Sequence, residues 1–522
     1  MTDLTAVLLL VALATLVATG ARRWSLPAPS MLVVAGVVIG ALPFTPDLHV
    51  PPAVISVGVL PPLLYASAEE ISFRELRLVW RPVALLAFGL VLVSAAAVGV
   101  VAAALTPLAA PMAFVLGAVL ASTDPVAVTA LGRRLSLPPK IQVMVQSESL
   151  FNDATSLVLF KVAVGTAVTA GSFSVPHAAW QFLLLGGGGA LVGGLVALAV
   201  AQIRRRTEEP VLETVIALVT PYAAYVLAED AHTSGVTAVV VAGVVLGTTG
   251  QRLTNARIRL QVHAVYQTVV FLLESVVFAV IGLELPSLIH GLSAGEMMWP
   301  LGVVAIAGTL IATRLFWIFP MSAVMQRRRG VGPFSWRVPA VLTWAGTRGV
   351  MPLAAALSIP LAASDGQPLQ HRSLVLVLTT GVVVLTLVLQ GFTLAPVVRA
   401  SGIALEPATT AREEAQAQDS LARAGLARLE QVADVDAAPE VVVEQLRRSL
   451  HARLDHAQAL LDEEQSAEHT LMVAHRELRH ELIRAEAQEL GRLYEERQIS
   501  DTTRRRIQRA LDLEEAGLAD EE

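Results

Sequence analysis

Cysteine is absent from the 522 residues, lysine occurs only as Lys140 and Lys161 against 36 arginines, aromatic residues make up 5% of the chain and charged residues 16%. The missing cysteines exclude disulfide frameworks, thiolate metal centres and cysteine nucleophiles. The scarcity of lysine reads as genome composition. The scarcity of charge says more, because soluble domains carry about a quarter charged residues. Here 54% of the residues are apolar and the mean hydropathy is +0.62, an excess that a water-facing surface of this length cannot hide. Lipid is therefore the expected solvent for much of the chain. No Gly-rich phosphate loop followed by lysine occurs, and no haem-type pair of histidines falls within an apolar stretch, so hydrolase and redox chemistry lack support. No enzyme activity and no bound cofactor are expected.

The formal charge of −6 hides an asymmetry. Residues 1–403 hold 23 Lys+Arg against 17 Asp+Glu, whereas 404–522 hold 15 against 27, so a body of +6 carries a tail of −12. Apolar stretches long enough to span a bilayer lie near 4–21, 28–45, 50–67, 82–105, 111–131, 143–168, 178–202, 211–228, 235–249, 264–285, 299–321, 338–361 and 373–398, about thirteen transmembrane helices. The opening stretch has Asp3 where a signal peptide would have basic residues, so it reads as a retained first span. Of the arginines and lysines between the spans, 19 fall in one alternating set of loops and only Arg372 in the other. The positive-inside rule then puts the N-terminus outside and the acidic tail in the cytoplasm.

Thirteen spans divide into two six-helix units of opposite orientation around a central span at 178–202, an inverted-repeat plan common among secondary transporters. The fifth members of the two units carry the most disruptive interiors, Thr123-Asp124-Pro125 and Gly346-Thr347-Arg348-Gly349 with Pro352. Interrupted helices at matching positions of two halves point to a substrate site, because freed carbonyls and half-helix ends can hold ions. The run Gly186 to Gly189 lies inside an apolar span and reads as a close-packing surface.

Ionisable groups at membrane depth are functional candidates, and they are Asp124, Glu148, Asp153, Lys161, Glu213, Glu274, Arg314 and Arg348. On the sixth span, helical spacing stacks Glu148 over Asn152 and Ser149 over Asp153, giving two columns of oxygen ligands suited to a hard monovalent cation or a proton. Glu148 also reads as a structural partner for Arg348, since each needs an opposite charge in a packed interior. Asp124 reads either as an ion ligand or as the anion at a half-helix N-terminus. Lys161, two turns beyond Asp153, reads as a snorkelling or local-charge residue rather than a ligand. Glu213 and Arg314 form one packing pair or belong to two separate ones. Asp153 is the strongest candidate for the ion carrier, because no cation lies within a turn on its own helix.

These motifs, Ala121-Ser122-Thr123-Asp124-Pro125-Val126-Ala127-Val128, Ser147-Glu148-Ser149-Leu150-Phe151-Asn152-Asp153-Ala154 and Trp344-Ala345-Gly346-Thr347-Arg348-Gly349-Val350, resemble those of the monovalent cation/proton antiporters of the NhaP and sodium/hydrogen exchanger family. The resemblance extends through Leu60-Pro61-Pro62-Leu63-Leu64-Tyr65 and Val388-Leu389-Gln390-Gly391-Phe392 and covers about residues 5–403. It implies an all-α fold with crossed, broken helices in a mobile core, a dimerisation part that makes a homodimer, and sodium and protons as transported ions. By motif position it implies that Asp153 binds the monovalent cation or the proton, with Asn152, Ser149, Thr123 and Asp124 around it and Glu148 with Arg348 as the stabilising ion pair. The Asn152-Asp153 pair is the signature associated with electroneutral one-for-one exchange. Potassium or lithium could replace sodium, and internal pH and cation homeostasis in the cell membrane would be the role. One departure stands out: many relatives have an acidic residue directly after the aromatic of the Leu60–Tyr65 motif, where this chain has Ala66.

Two domains are expected, a transmembrane antiporter domain over 1–403 and a cytoplasmic helical tail over 404–522. The tail interleaves acidic and basic residues at helical spacing, which reads as solvated helix faces or as a regulatory or dimer-stabilising domain whose carboxylates and His451, His456, His469, His475 and His480 sense internal pH. The lipid bilayer and a second copy are the expected partners, and nucleic acid is not. A channel would need a continuous polar path, and only the mid-span residues are polar.

Overall fold

The computed structural model describes residues 28–42, 51–71, 73–124, 138–169, 175–207, 209–253, 255–328, 335–363, 367–403, 407–435, 439–461, 465–496 and 498–519, with 12, 15–17, 19 and 20. The first apolar stretch, 4–21, and the half of the fifth stretch from Pro125 to 131 lie largely or wholly outside the described residues. Two compact units are present, Met1–Ala404 and Leu405–Glu522.

Helices build both units, and among the described residues the one β feature is an isolated bridge between Ala362 and Pro368. Without water to satisfy backbone groups, a helix is the form in which an apolar segment can cross lipid. In the first unit we number them α1 (Ala28–Gly40), α2 (Pro52–Gly58), α3 (Leu60–Glu69), α4 (Phe73–Ala84), α5 (Val91–Leu105), α6 (Ala110–Leu120), α7 (Pro139–Thr169), α8 (Val175–Arg204), α9 (Pro210–Asp230), α10 (Gly235–Leu253), α11 (Ala256–His290), α12 (Trp299–Arg328), α13 (Arg337–Trp344), α14 (Val350–Leu357) and α15 (Arg372–Ser401). A π-helical turn, Leu85–Leu90, joins α4 to α5. Among the described residues eight helices are long and apolar enough to cross a membrane, and α1, α6 and α10 contribute shorter apolar segments. Among the described residues, each apolar stretch from residue 28 onward coincides with a helix or with a pair of shorter helices.

Large apolar side chains on the outer faces, such as Leu183, Leu191 and Leu195 of α8, are more than 60% exposed, as expected where lipid covers the protein. Small residues set the internal approach. A Cβ on Gly188 or Gly189 of the run would collide with Thr233 or Ser234, just before α10, and one on Gly193 with the backbone of Ala238 within it, whereas a Cβ on Gly186 or Gly187 would meet nothing, so only the second half of the run serves close packing.

Between α11 and α12, Ser293 and Glu296 form a capping box around a 3-10 turn, and Glu296 Oε1 lies 2.7 Å from His371 Nδ1 at the start of α15. Burial alone would raise the Glu296 carboxyl, but the hydrogen bonds from His371 and from the Ser293 amide and hydroxyl outweigh it and hold the group below its ordinary value.

The second unit contains α16 (Pro407–Val435), α17 (Glu440–Leu461), α18 (Gln465–Glu495) and α19 (Asp501–Ala519). Helix α16 packs on α17 and α18 on α19. Ion pairs such as Arg423–Asp419 and Arg492–Glu489 lie on exposed helix faces, where each contributes little. His451 bonds the Arg447 carbonyl one turn back. The side chains of His456, His469, His475 and His480 fall outside the described residues.

Candidate functional site

The two interrupted helices cross at their breaks. Helix α6 ends at Leu120 and its chain continues without regular secondary structure through Ser122, Thr123 and Asp124, while α13 ends at Trp344 and α14 begins at Val350. The breaks are tied to each other: the Asp124 amide donates to the Thr347 carbonyl at 2.8 Å, and the Thr347 hydroxyl donates to the Asp124 carbonyl at 2.8 Å. Backbone groups that each helix releases are thus satisfied by the other, as burial in a membrane protein requires.

Charges sit at the half-helix ends according to their sign. Arg348 Nε donates to the Leu120 carbonyl at the C-terminal end of α6, 2.8 Å away, and Nη1 to the Gly346 carbonyl at 2.7 Å. Arg314 Nε donates to the Leu342 carbonyl near the C-terminal end of α13 at 3.0 Å. The Asp124 carboxylate lies against Gly349, at the N-terminus of α14. The two glycines of the Gly346–Gly349 motif now have separate reasons. A Cβ on Gly346 would lie 2.6 Å from the Cδ and Nε of Arg314, and one on Gly349 would overlap the Asp124 carboxylate. Gly349→Ala is therefore expected to displace Asp124, to lose most exchange activity and to destabilise by about 1–3 kcal/mol through overpacking, as measured by vesicle exchange and thermal unfolding of the purified protein.

Helix α7 brings its polar columns to this crossing. Ser149 Oγ donates to the Thr123 carbonyl at 2.5 Å, Asn152 Nδ2 to Thr123 Oγ1 at 2.5 Å, and the Thr123 amide to Asn152 Oδ1 at 3.2 Å. Both ends of the Asn152 amide are thereby committed to Thr123. Asp153 is 8% exposed, and its Oδ1 is buried with no hydrogen-bond partner. Thr123, Asp124, Ser149 and Asp153 line a cavity of about 830 Å³ that also reaches Glu69, Arg204, Glu213, His263 and Glu274. Those it reaches from α3, α8 and α10 sit at the C-terminal ends, and those from α9 and α11 begin at the N-terminal ends. These ends share the face that carries the arginine-rich loops, so the cavity leads from that face to Asp153.

The expected ion pair between Glu148 and Arg348 is corrected. Glu148 pairs with Arg314, Nη1 to Oε1 at 2.5 Å and Nη2 to Oε2 at 3.0 Å, with both side chains at least 96% buried. Arg348 instead spends its donors on carbonyls, because its place in the break puts it beside the open end of α6. Glu213 belongs to a separate cluster, 3.3 Å from Arg204, whose guanidinium also lies 3.9 Å from Glu69. Lys161 is held by Glu229, 2.5 Å from both carboxylate oxygens, and by the Thr233 carbonyl at 3.2 Å, so its charge is met by a local partner.

Sequence reasoning missed Arg204, assigned to a loop, and gave no role to Glu69. Helical phase carried the signal for the first: Ala197, Val200, Ala201 and Arg204 form a buried stripe at i, i+3, i+4 and i+7. Beyond the Leu60–Tyr65 motif, Tyr65 is fully buried against Tyr266, with ring centroids 5.7 Å apart. Ala66 lines the cavity, and Glu69 is the first carboxylate of α3 to reach it.

The family model described as "Sodium/hydrogen exchanger, transmembrane" matches residues 8–400. An uncharacterized Na(+)/H(+) exchanger of Mycobacterium tuberculosis is 34% identical over 96% of this chain and 93% of its own. The Na(+)/H(+) antiporter ApNhaP of Aphanothece halophytica is 32% identical over 68% of this chain and 66% of its own. Among solved structures, the sodium proton antiporter MjNhaP1 from Methanocaldococcus jannaschii superposes with a TM-score of 0.62 at 20% identity, over 76% of this chain and 97% of that one. The chain therefore belongs to the sodium/hydrogen exchanger family, as a multi-pass membrane antiporter rather than an enzyme.

Proposed function

We propose that the protein exchanges one sodium ion for one proton, electroneutrally and by alternating access, with Asp153 as the group that carries either ion. The observation that carries this reading is the buried Asp153 oxygen without a hydrogen-bond partner in the wall of a cavity reaching one face. A carboxylate oxygen left unsatisfied in that place has a cation or a proton as its partner. Thr123, Asp124 and Ser149 supply further oxygens around it, and Asn152 fixes Thr123 in register with α7. One carboxylate that holds one ion at a time releases one proton per monovalent cation bound. At the opposite ends of α7 and α9, the Lys161–Glu229 bridge fastens the site-bearing helix to its neighbour, which fits a state open on one face. By the loop charges that face is cytoplasmic, with the N-terminus outside, the tail inside and the protein in the cell membrane as a homodimer that sets internal pH and cation content. Residues 1–403 are the transport domain and 404–522 a separate tail. Potassium and lithium enter as further candidate substrates; one similar protein from Bacillus pumilus bears the name sodium, potassium, lithium and rubidium/H(+) antiporter.

The test is cation-induced dissipation of a proton gradient in proteoliposomes, with Na, Li and K compared over a pH series. If one carboxylate serves both ions, apparent cation affinity falls as pH drops, approaching about tenfold per pH unit where the proton dominates. An imposed membrane potential should leave the rate unchanged. A rate that follows the sign of the potential would sink electroneutrality, and an affinity independent of pH would sink the shared carboxylate.

A further inference from the structure

We propose that the arginine-bearing face of α4 is a docking site for one anionic phospholipid, its phosphate between Arg77 and Arg81 and its acyl chains on the exposed apolar side chains below. Helix α4, the π turn and α5 form one continuous run, Phe73–Leu105. Its two sides differ. Pro82, Val83, Leu86 and Ala87 are buried, and α4 and the π turn pack on α7, which turns the other side outward. On that outer side Arg74, Leu78, Arg81 and Leu85 follow one another at i, i+4, i+7 and i+11, with Arg77 one turn before Arg81, and all five are exposed. Further along, Phe88 and Leu92 are exposed as well.

Depth sorts these side chains by chemistry. From Arg81 to Leu105 is about 36 Å of helix, against a hydrocarbon core of about 30 Å. With Leu105 at one boundary, Arg81 therefore stands in the headgroup layer at the other, Arg77 about 6 Å further out, and Leu85, Phe88 and Leu92 lie among acyl chains. Trp80 is exposed beside the arginines and is of the type that settles at this interface. The Arg81 guanidinium lies 5.5 Å from its ring centroid, a cation–π contact that holds the charge at headgroup level. Among the described residues no carboxylate pairs with Arg74, Arg77 or Arg81. Glu75, the one acid of α4, is two residues from Arg77 and so nearly opposite it around the helix. Unpaired guanidiniums above an apolar stripe match an anionic head on an apolar body. A soluble phosphate would use only the arginines, and a zwitterionic lipid would bring its own ammonium against them.

The inference holds whichever ions are exchanged, and its test needs no transport. The full chain in nonionic detergent is titrated with phosphatidylglycerol or with phosphatidylcholine of the same acyl chains, and bound lipid is counted by mass spectrometry of the intact protein. Arg77→Gln/Arg81→Gln is expected to raise the phosphatidylglycerol concentration that half-fills the tightest site about tenfold and to leave phosphatidylcholine binding unchanged. Equal phosphatidylglycerol binding by parent and variant overturns the proposal. Arg205→Gln/Arg206→Gln removes two exposed arginines just past α8 and should change neither lipid. If it weakens phosphatidylglycerol binding equally, the attraction belongs to the basic surface at large and the proposal fails. Glycerol phosphate, a headgroup without acyl chains, should not displace the lipid at equal concentration; displacement would overturn the lipid as occupant. Should the double variant fail to insert, Leu78→Glu puts a charge that repels phosphate on the same exposed face. Weaker binding of phosphatidylglycerol alone then supports the proposal, and unchanged binding overturns it.

Discussion

Replacing Asp153 with asparagine is expected to abolish exchange, leaving cation-induced dissipation of a proton gradient no greater than in vesicles that lack the protein. Asparagine keeps the shape of the side chain and adds a donor, so the packing of α7 around residues 149 to 156 should persist and the variant should insert and unfold like the parent. What it removes is the ability to hold a proton at one time and a cation at another. Neighbouring groups cannot substitute. The Asn152 amide is engaged by Thr123 at both ends, Ser149 donates to a carbonyl, and Asp124 lies against the α14 N-terminus, where its charge is favoured. Undiminished exchange in Asp153→Asn would remove this residue from the carrier role.

The second large effect concerns stability. Removing one member of the Glu148–Arg314 pair, by Glu148→Gln or Arg314→Leu, leaves an uncompensated charge or an unpaired fork in a region at least 96% buried, and should cost about 3–5 kcal/mol. Replacing both by apolar residues of similar volume should cost far less, since the loss in the single variants comes mainly from the partner left behind. Thermal unfolding of the detergent-solubilised protein across this double-mutant cycle measures the coupling. Arg314 also caps the Leu342 carbonyl, so Arg314→Leu should be the worse of the two single changes. Were Arg348 the true partner, the Glu148 and Arg314 substitutions would add independently.

Much of the architecture is legible in the amino-acid sequence. Lipid forces long apolar runs into helices, so the spans can be read one by one, and the Thr123-Asp124 and Gly346–Gly349 interruptions announce where two of them break. The residues gathered at the crossing, Thr123, Asp124, Ser149, Asn152 and Asp153, are all marked by spacing and motif. The partner of Glu148 is not. Arg314 and Arg348 are equally buried, at 3% and 2% exposure, and chain order does not say which comes opposite a given carboxylate. The answer lies in Gly346, whose missing side chain makes room for Arg314, a steric fact visible only once α12 and the break are side by side. The cavity is likewise invisible in the sequence, because it is formed by the ends of helices far apart along the chain. Arg204 is lost among three consecutive arginines, of which only helical phase turns one inward.

The paired hydrogen bonds between Asp124 and Thr347 have one more consequence. They bind the two breaks into a single unit, so under the alternating access proposed above the oxygens that the breaks supply near Asp153 keep the same mutual distances whichever face the unit presents. A carrier whose ligand shell is unchanged by reorientation has the same intrinsic affinity for its cation on both sides, so any asymmetry between the faces concerns rate and saturation, while the gradients set the net direction in every case. Any preference for one side is then written into the helices that line the approach, which makes α11 and α3, rather than the crossing itself, the place where evolution can make the exchanger run more readily one way.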